Sequence, residues 1–237
     1  MKRSQIRELK FRDVTFKEAS RGGSEVVFQN LNFEFTHKAP VILQGTAVSG
    51  KRTLLKLLVG LYPIESGEYL INGESVGKMS FREFDLYRLN MGFSFESGGT
   101  LNNRTIFENL ALPLEYHDVV SKNQISSYVE SFLRHFDILQ YSHMRPAFVS
   151  LEVRKVVNLI RAFLLHPEFL ILDNPTEGTG VEYQEKLLEL IKIHTSSRGL
   201  KYLVIVSDDP RFIKKMGGNI YLVHKSELIP DFRQEAS

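Results

Sequence analysis

The sequence predicts an α/β protein: a mixed or parallel core sheet, with an antiparallel β-subdomain before it and a helical subdomain inserted into it. Three observations carry that expectation. The run Gly45-Thr46-Ala47-Val48-Ser49-Gly50-Lys51-Arg52-Thr53 keeps a GxxxxGK phosphate-binding frame between a short apolar strand (Pro40–Leu43) and an apolar helix start (Leu54–Leu58). Phe169-Leu170-Ile171-Leu172 and Tyr202-Leu203-Val204-Ile205-Val206 are continuous apolar runs, the pattern of parallel strands covered on both faces. Residues 6–36 instead show short or alternating apolar patterns, as strands of an antiparallel sheet do.

Taken in order, Leu9-Lys10-Phe11, Val14-Thr15-Phe16, Val26-Val27-Phe28 and Leu31-Asn32-Phe33-Glu34-Phe35 read as strands separated by turn-like residues. The glycine loop follows, where successive backbone N–H groups and a helix N-terminus can converge on a phosphate. Glu68-Tyr69-Leu70-Ile71 is another strand, ended by an Asn72-Gly73 turn. Ser80 with Glu83 forms a capping-box pattern for a helix to about Leu89, and Met91–Phe95 is a short strand. Residues 104–166 are mostly helical: Tyr128, Phe132, Phe136 and Ile138 recur at roughly helical spacing, and Val156, Val157, Leu159, Ile160 and Phe163 mark a helix over about 151–165. Leu187, Leu188, Leu190 and Ile191 belong to a crossover helix between the two apolar strands. Phosphates are expected at the carboxyl ends of the central strands.

Composition narrows the function classes. At 237 residues the chain is read as one domain, 1–237, with its helical subdomain at about 96–165. A net charge of +2 argues against bulk nucleic-acid binding, and the absence of Cys excludes a thiol nucleophile and Cys-based metal sites. No apolar N-terminal stretch or membrane-spanning run is present, so a soluble chain is expected, without direct membrane insertion.

The order of motifs resembles the nucleotide-binding domain of an ABC transporter over about residues 6–225. The apolar strand ending in Asp173 lies about 120 residues after the glycine loop and follows a helix reading Leu159-Ile160-Arg161-Ala162-Phe163-Leu164. Asn174-Pro175-Thr176 comes next, then a strand ending Val206-Ser207-Asp208-Asp209-Pro210. The resemblance implies that Asp173 is the Walker B aspartate. Phe95-Glu96-Ser97-Gly98-Gly99-Thr100-Leu101 and Thr105-Ile106-Phe107-Glu108-Asn109-Leu110-Ala111-Leu112-Pro113-Leu114-Glu115-Tyr116-His117 are similar to the region after the Q-loop in Mce-associated, Mla-type phospholipid-transport ATPases. The cell-division ATPase of the same superfamily shares the Glu-Asn-Leu-Ala-Leu-Pro-Leu part, so a module without transport stays open. The implied partners are an integral-membrane permease and a second ABC domain, in a homodimer or heterodimer. The implied location is the cytoplasmic face of the cell membrane.

Several positions depart from that family. Gly45, Ser49, Gly50, Lys51 and Thr53 remain to meet phosphates, but Arg52 stands where a Ser or Thr hydroxyl would ligate Mg²⁺. Two unit charges ~4 Å apart at an effective dielectric of ~20 repel by about 4 kcal/mol. Val48 replaces a glycine and, being β-branched, resists a positive φ. Asn174 occupies the place of the catalytic glutamate and cannot accept a proton from attacking water. Glu96 replaces the Q-loop glutamine, Asp208 the switch histidine, and Glu18 the aromatic that stacks on adenine. Of the signature motif, Val149-Ser150-Leu151-Glu152-Val153 keeps only Ser150, which with Glu152 also reads as a simple helix cap. The expected protein is a pseudo-ATPase in which ATP binds weakly or without Mg²⁺, Mg²⁺ itself being doubtful. Two alternatives are an Arg52 that faces solvent or a partner with no nucleotide bound, and an atypical active ATPase using Glu96, Glu177 or Asp208.

Overall fold

The first two strands, β1 (Leu9–Ser20) and β2 (Gly23–Phe35), pair antiparallel from Leu9 opposite Phe35 to Ser20 opposite Gly23. The computed structural model describes residues 3–20, 23–95, 99–118, 120–224 and 227–231. The four short patterns expected in this stretch are therefore two long strands. Register shifts after Phe11 and Val14 absorb the turn-like residues as bulges, with Asp13 at φ 49° and Asn30 at φ 53°. Asn32 clamps the first bulge: its Oδ1 accepts from the Asp13 amide at 3.1 Å, and its Nδ2 donates to the Asp13 carboxylate at 2.8 Å.

Next come β3 (Val41–Gln44), the glycine loop and α1 (Lys51–Leu58), before β4 (Ser66–Ile71) and β5 (Glu74–Ser75) complete an antiparallel sheet of order β2-β1-β4-β5. Asn72 and Gly73 turn β4 into β5 with φ 54° and 80°. The expected capping box opens α2 (Phe81–Arg88): Ser80 Oγ accepts from the Glu83 amide, and Glu83 accepts from the Ser80 amide at 2.7 Å.

The second sheet contains β6 (Met91–Ser94), then, beyond α3 (Ile106–His117), α4 (Ile125–His135) and α5 (Leu151–Phe163), the strand β7 (Phe169–Asp173). It continues with α6 (Val181–Ser197), β8 (Tyr202–Val206), α7 (Pro210–Met216), β9 (Asn219–His224) and β10 (Glu227–Pro230). Strand order is β10-β9-β3-β8-β7-β6, parallel throughout except for the antiparallel β9–β10 pair. Every residue of β7 and β8 is buried, and the two faces feed different cores. Phe169 and Ile171 pack with Leu54, Leu55, Leu57 and Leu58 of α1, whereas Leu170 and Leu172 pack with α3, α4, α5 and α6. The apolar runs are continuous for that reason. Among the described residues, no helix is long and apolar enough to cross a membrane.

A second capping box, Thr105 with Glu108, starts α3. The buried Asn109 behind it exchanges hydrogen bonds with the backbone of Leu101 and donates to the Thr105 carbonyl, so the loop before α3 is tied to the helix itself.

Two imidazoles sit where the helical insertion meets the sheet. The His166 and His194 ring centroids are 5.7 Å apart; Tyr128 Oη lies 3.0 Å from His166 Nε2, and an Arg198 guanidinium nitrogen lies 3.1 Å from it. Burial, then Arg198 and Arg3, push His166 down to about 4; burial, then His166 and Arg198, push His194 down to about 4. Folded values below the unfolded 6.5 mean that the folded state resists protonation. Stability is therefore full above about 6.5 and declines as pH falls from there towards about 4. Thermal melts followed by circular dichroism should show Tm dropping across this window, with a shallower drop in His194→Phe; identical slopes would contradict the assignment.

Candidate functional site

The carboxyl ends of three parallel strands meet at one residue. Val206 of β8 is opposite Leu43 of β3 on one side and Asp173 of β7 on the other. The glycine loop, the Asp173-Asn174 turn and Ser207-Asp208 therefore leave the sheet side by side.

The loop is shaped by two glycines that a side chain cannot replace. A Cβ on Gly45 (φ 143°) would lie 2.8 Å from the Val223 carbonyl oxygen, and one on Gly50 (φ 91°) would lie 2.7 Å from Val27 Cγ1 and 2.9 Å from Phe28 Cζ. The Ser49 amide donates to the Thr46 carbonyl at 3.1 Å, and the Leu54 amide to Gly50 at 2.9 Å, so the turn runs straight into α1. Val48 is at the tip, 92% exposed, and is not in the positive-φ region. The strain expected of a β-branched residue there does not arise. Ser49 Oγ is buried and without a hydrogen-bond partner among the described residues. Thr53 is buried in the first turn of α1.

Lys51 is 8% exposed and folds back over its own loop, its Nζ donating to the Gly45 carbonyl and, at 2.9 Å, to that of Thr46. Burial depresses the Lys51 ammonium most; Asp208 and Asp173 oppose that shift, and Arg52 adds to it. Arg52, the next residue, reaches across to β7: its Nε is 3.5 Å from Asp173 Oδ2. The pair is unequal, with the Arg52 side chain 57% exposed and the Asp173 side chain 2%. Burial pushes the Asp173 carboxyl up and Glu177 adds to this, while Arg52, Lys51 and Lys56 pull it down. Its Oδ1 is buried and makes no hydrogen bond among the described residues.

Asn174 leaves β7 at φ 45°, donating its amide to the Val206 carbonyl at 2.9 Å and accepting from the Glu177 amide at 3.2 Å. Asn is among the few residues other than Gly that tolerate this left-handed geometry. The position thus has a backbone requirement that sequence comparison of side-chain chemistry does not reveal. Asp208 is exposed but close enough to act on Lys51. Glu96 lies outside the described residues, and Glu18 is on an exposed part of β1.

Ser150 caps α5, its Oγ accepting from the Val153 amide at 3.2 Å. Glu152 does not complete that cap. It accepts at 2.6 Å from the amide of Gly180, the residue before α6, while Lys155 Nζ donates to the Glu177 carbonyl. The start of α5 is therefore stitched to the turn that follows Asp173, a link between residues 28 positions apart that spacing alone did not signal.

A family model described as ABC transporter matches residues 28–177. The chain is 27% identical over 227 residues to the intermembrane phospholipid transport system ATP-binding protein MlaF of Haemophilus influenzae, covering 96% of this chain and 84% of that protein. It is also 27% identical over 179 residues to the methionine import ATP-binding protein MetN of Clostridium acetobutylicum, covering 76% of this chain and 55% of that protein. Among solved structures, an ATP-binding cassette captured as a post-hydrolysis dimer with ADP and phosphate superposes with a TM-score of 0.83 at 22% identity, over 93% of this chain and 96% of the other.

The cap geometry has a measurable consequence. Ser150→Ala removes one acceptor at the N-terminus of α5 and should cost about 1 kcal/mol in denaturant unfolding. Ser150→Asp, which can accept the same bond, should restore most of it. An unchanged stability in Ser150→Ala would show that the hydroxyl does not cap.

Proposed function

The chain belongs to the ABC transporter family, and we propose that it serves as the nucleotide-binding-type subunit of a phospholipid transport complex in a structural or regulatory role, without efficient ATP hydrolysis. The observation that carries this reading is the Arg52–Asp173 ion pair, with Asn174 directly after it. In-line attack of water on a terminal phosphate needs charge neutralisation at the phosphates and a group to orient and deprotonate the water. Here a guanidinium engages the carboxylate that would face the metal, and the next side chain is an amide. Loss of general-base assistance alone removes a factor of about 10²–10⁴.

The phospholipid assignment draws on the 95–117 segment and on the likeness to MlaF, the ATP-binding protein of an intermembrane phospholipid transport system. With no membrane-crossing helix among the described residues, this reading places the chain against an integral-membrane permease. A second ABC domain would complete the assembly, as a homodimer or heterodimer, in line with the dimeric cassette that shares the fold. A second reading, an atypical ATPase, has one observation in its favour: Glu177 acts electrostatically on Asp173 and could supply a carboxylate.

Steady-state phosphate release from purified protein with ATP and Mg²⁺ separates the two. The pseudo-ATPase reading predicts a rate no higher than that of Lys51→Ala. Turnover that Lys51→Ala abolishes would overturn it, and further loss in Glu177→Ala would favour the second reading.

A further inference from the structure

The geometry points to a nucleoside-triphosphate site that works without a divalent cation, with the Arg52 guanidinium serving as the resident counter-charge. This inference rests on the nucleotide-binding part of the preceding reading and not on the absence of hydrolysis.

The loop itself suits phosphate. Gly45 keeps side-chain atoms out of the space beside Val223 and Ser49, the buried Ser49 hydroxyl has a hydrogen-bond donor to give, and Lys51 presently spends its ammonium on two loop carbonyls. A phosphate oxygen is a stronger partner for that ammonium than a neutral carbonyl, because it adds the attraction of a full negative charge to the hydrogen bond.

The same residues do not suit a divalent ion. The position after Lys51 offers no oxygen, and its guanidinium already lies 3.5 Å from one oxygen of Asp173. A metal seated on the other oxygen would sit near two cations, Lys51 and Arg52, whose charges both act on Asp173. Arg52 can instead do part of what the ion does. A guanidinium carries five N–H donors in a fixed fork, so one edge can stay on a carboxylate while another takes phosphate oxygens. Asp173 then acts as a positioning residue for the arginine rather than as a metal ligand. More than half of the Arg52 side chain is exposed, so a ligand can reach its guanidinium.

The test is a titration of purified protein with a fluorescent ATP analogue, competed with ATP, in excess EDTA and again in millimolar Mg²⁺. The wild type should bind in EDTA, with Kd changing by less than about threefold when Mg²⁺ is supplied. Arg52→Ser, which restores a hydroxyl and removes the charge, should bind about tenfold or more weakly in EDTA, the loss expected for a bond to a charged group. Mg²⁺ should recover that loss. Arg52→Lys keeps the charge and should retain most EDTA binding. ATP should raise the wild-type Tm in EDTA, a readout independent of the fluorophore. Wild-type binding that requires Mg²⁺, no binding in either condition, or an Arg52→Ser variant indifferent to metal would each overturn the inference. Failure to bind would leave the pseudo-ATPase reading standing, whereas turnover in Mg²⁺ alongside wild-type binding in EDTA would remove that reading and leave this one.

Discussion

The Arg52–Asp173 ion pair exists because β3, β8 and β7 are neighbours running in one direction. The two residues are about 120 positions apart in sequence and belong to different strand–turn units. They meet because Leu43 and Asp173 flank the same Val206, so the loop after β3 and the end of β7 open onto one edge of the sheet. The register is held by apolar burial on both faces of the central strands, and a one-residue slip would exchange the side chains that fill the two cores. The core thus determines how close a half-exposed guanidinium comes to a buried carboxylate.

From that contact the rest of the site takes its character. With a cation next to Asp173 and Lys51 turned onto its own loop, positive charge at the phosphate cradle comes from side chains of the chain itself. The turn after Asp173 is constrained from two directions. Asn174 adopts a left-handed backbone that bonds to β8, and Glu152 and Lys155 of α5 hold the same turn at Gly180 and Glu177. These two contacts tie the start of α5 to the Asp173 turn.

The elements governed by local chemistry were legible in the sequence. The glycine loop, the Ser80–Glu83 capping box, the Asn72-Gly73 turn and the two fully buried strands each follow from a few adjacent residues or from an apolar run. The bulged hairpin was harder, because Asp13 and Asn30 have turn chemistry yet sit inside long strands whose register shifts absorb them as bulges. At the site, sequence identified the unusual residues but not what they touch. Glu152 looked like part of a helix cap and bonds to a different helix; Val48 suggested backbone strain and lies relaxed at an exposed tip. Asn174 read as a lost base, while its φ of 45° gives it a structural reason to be there. The coupling of Arg52 to Asp173 is a tertiary fact, set by strand order, and no local pattern encodes it.

A double-mutant cycle measures that coupling directly. Wild type, Arg52→Ala, Asp173→Asn and the double variant would be unfolded in urea under identical conditions, without nucleotide or metal. A coupling free energy of about 0.5–3 kcal/mol is expected, as for residues in contact. Effects that add to within about 0.3 kcal/mol would mean that Arg52 and Asp173 are energetically independent, and the arginine would lose its claim to the metal's place.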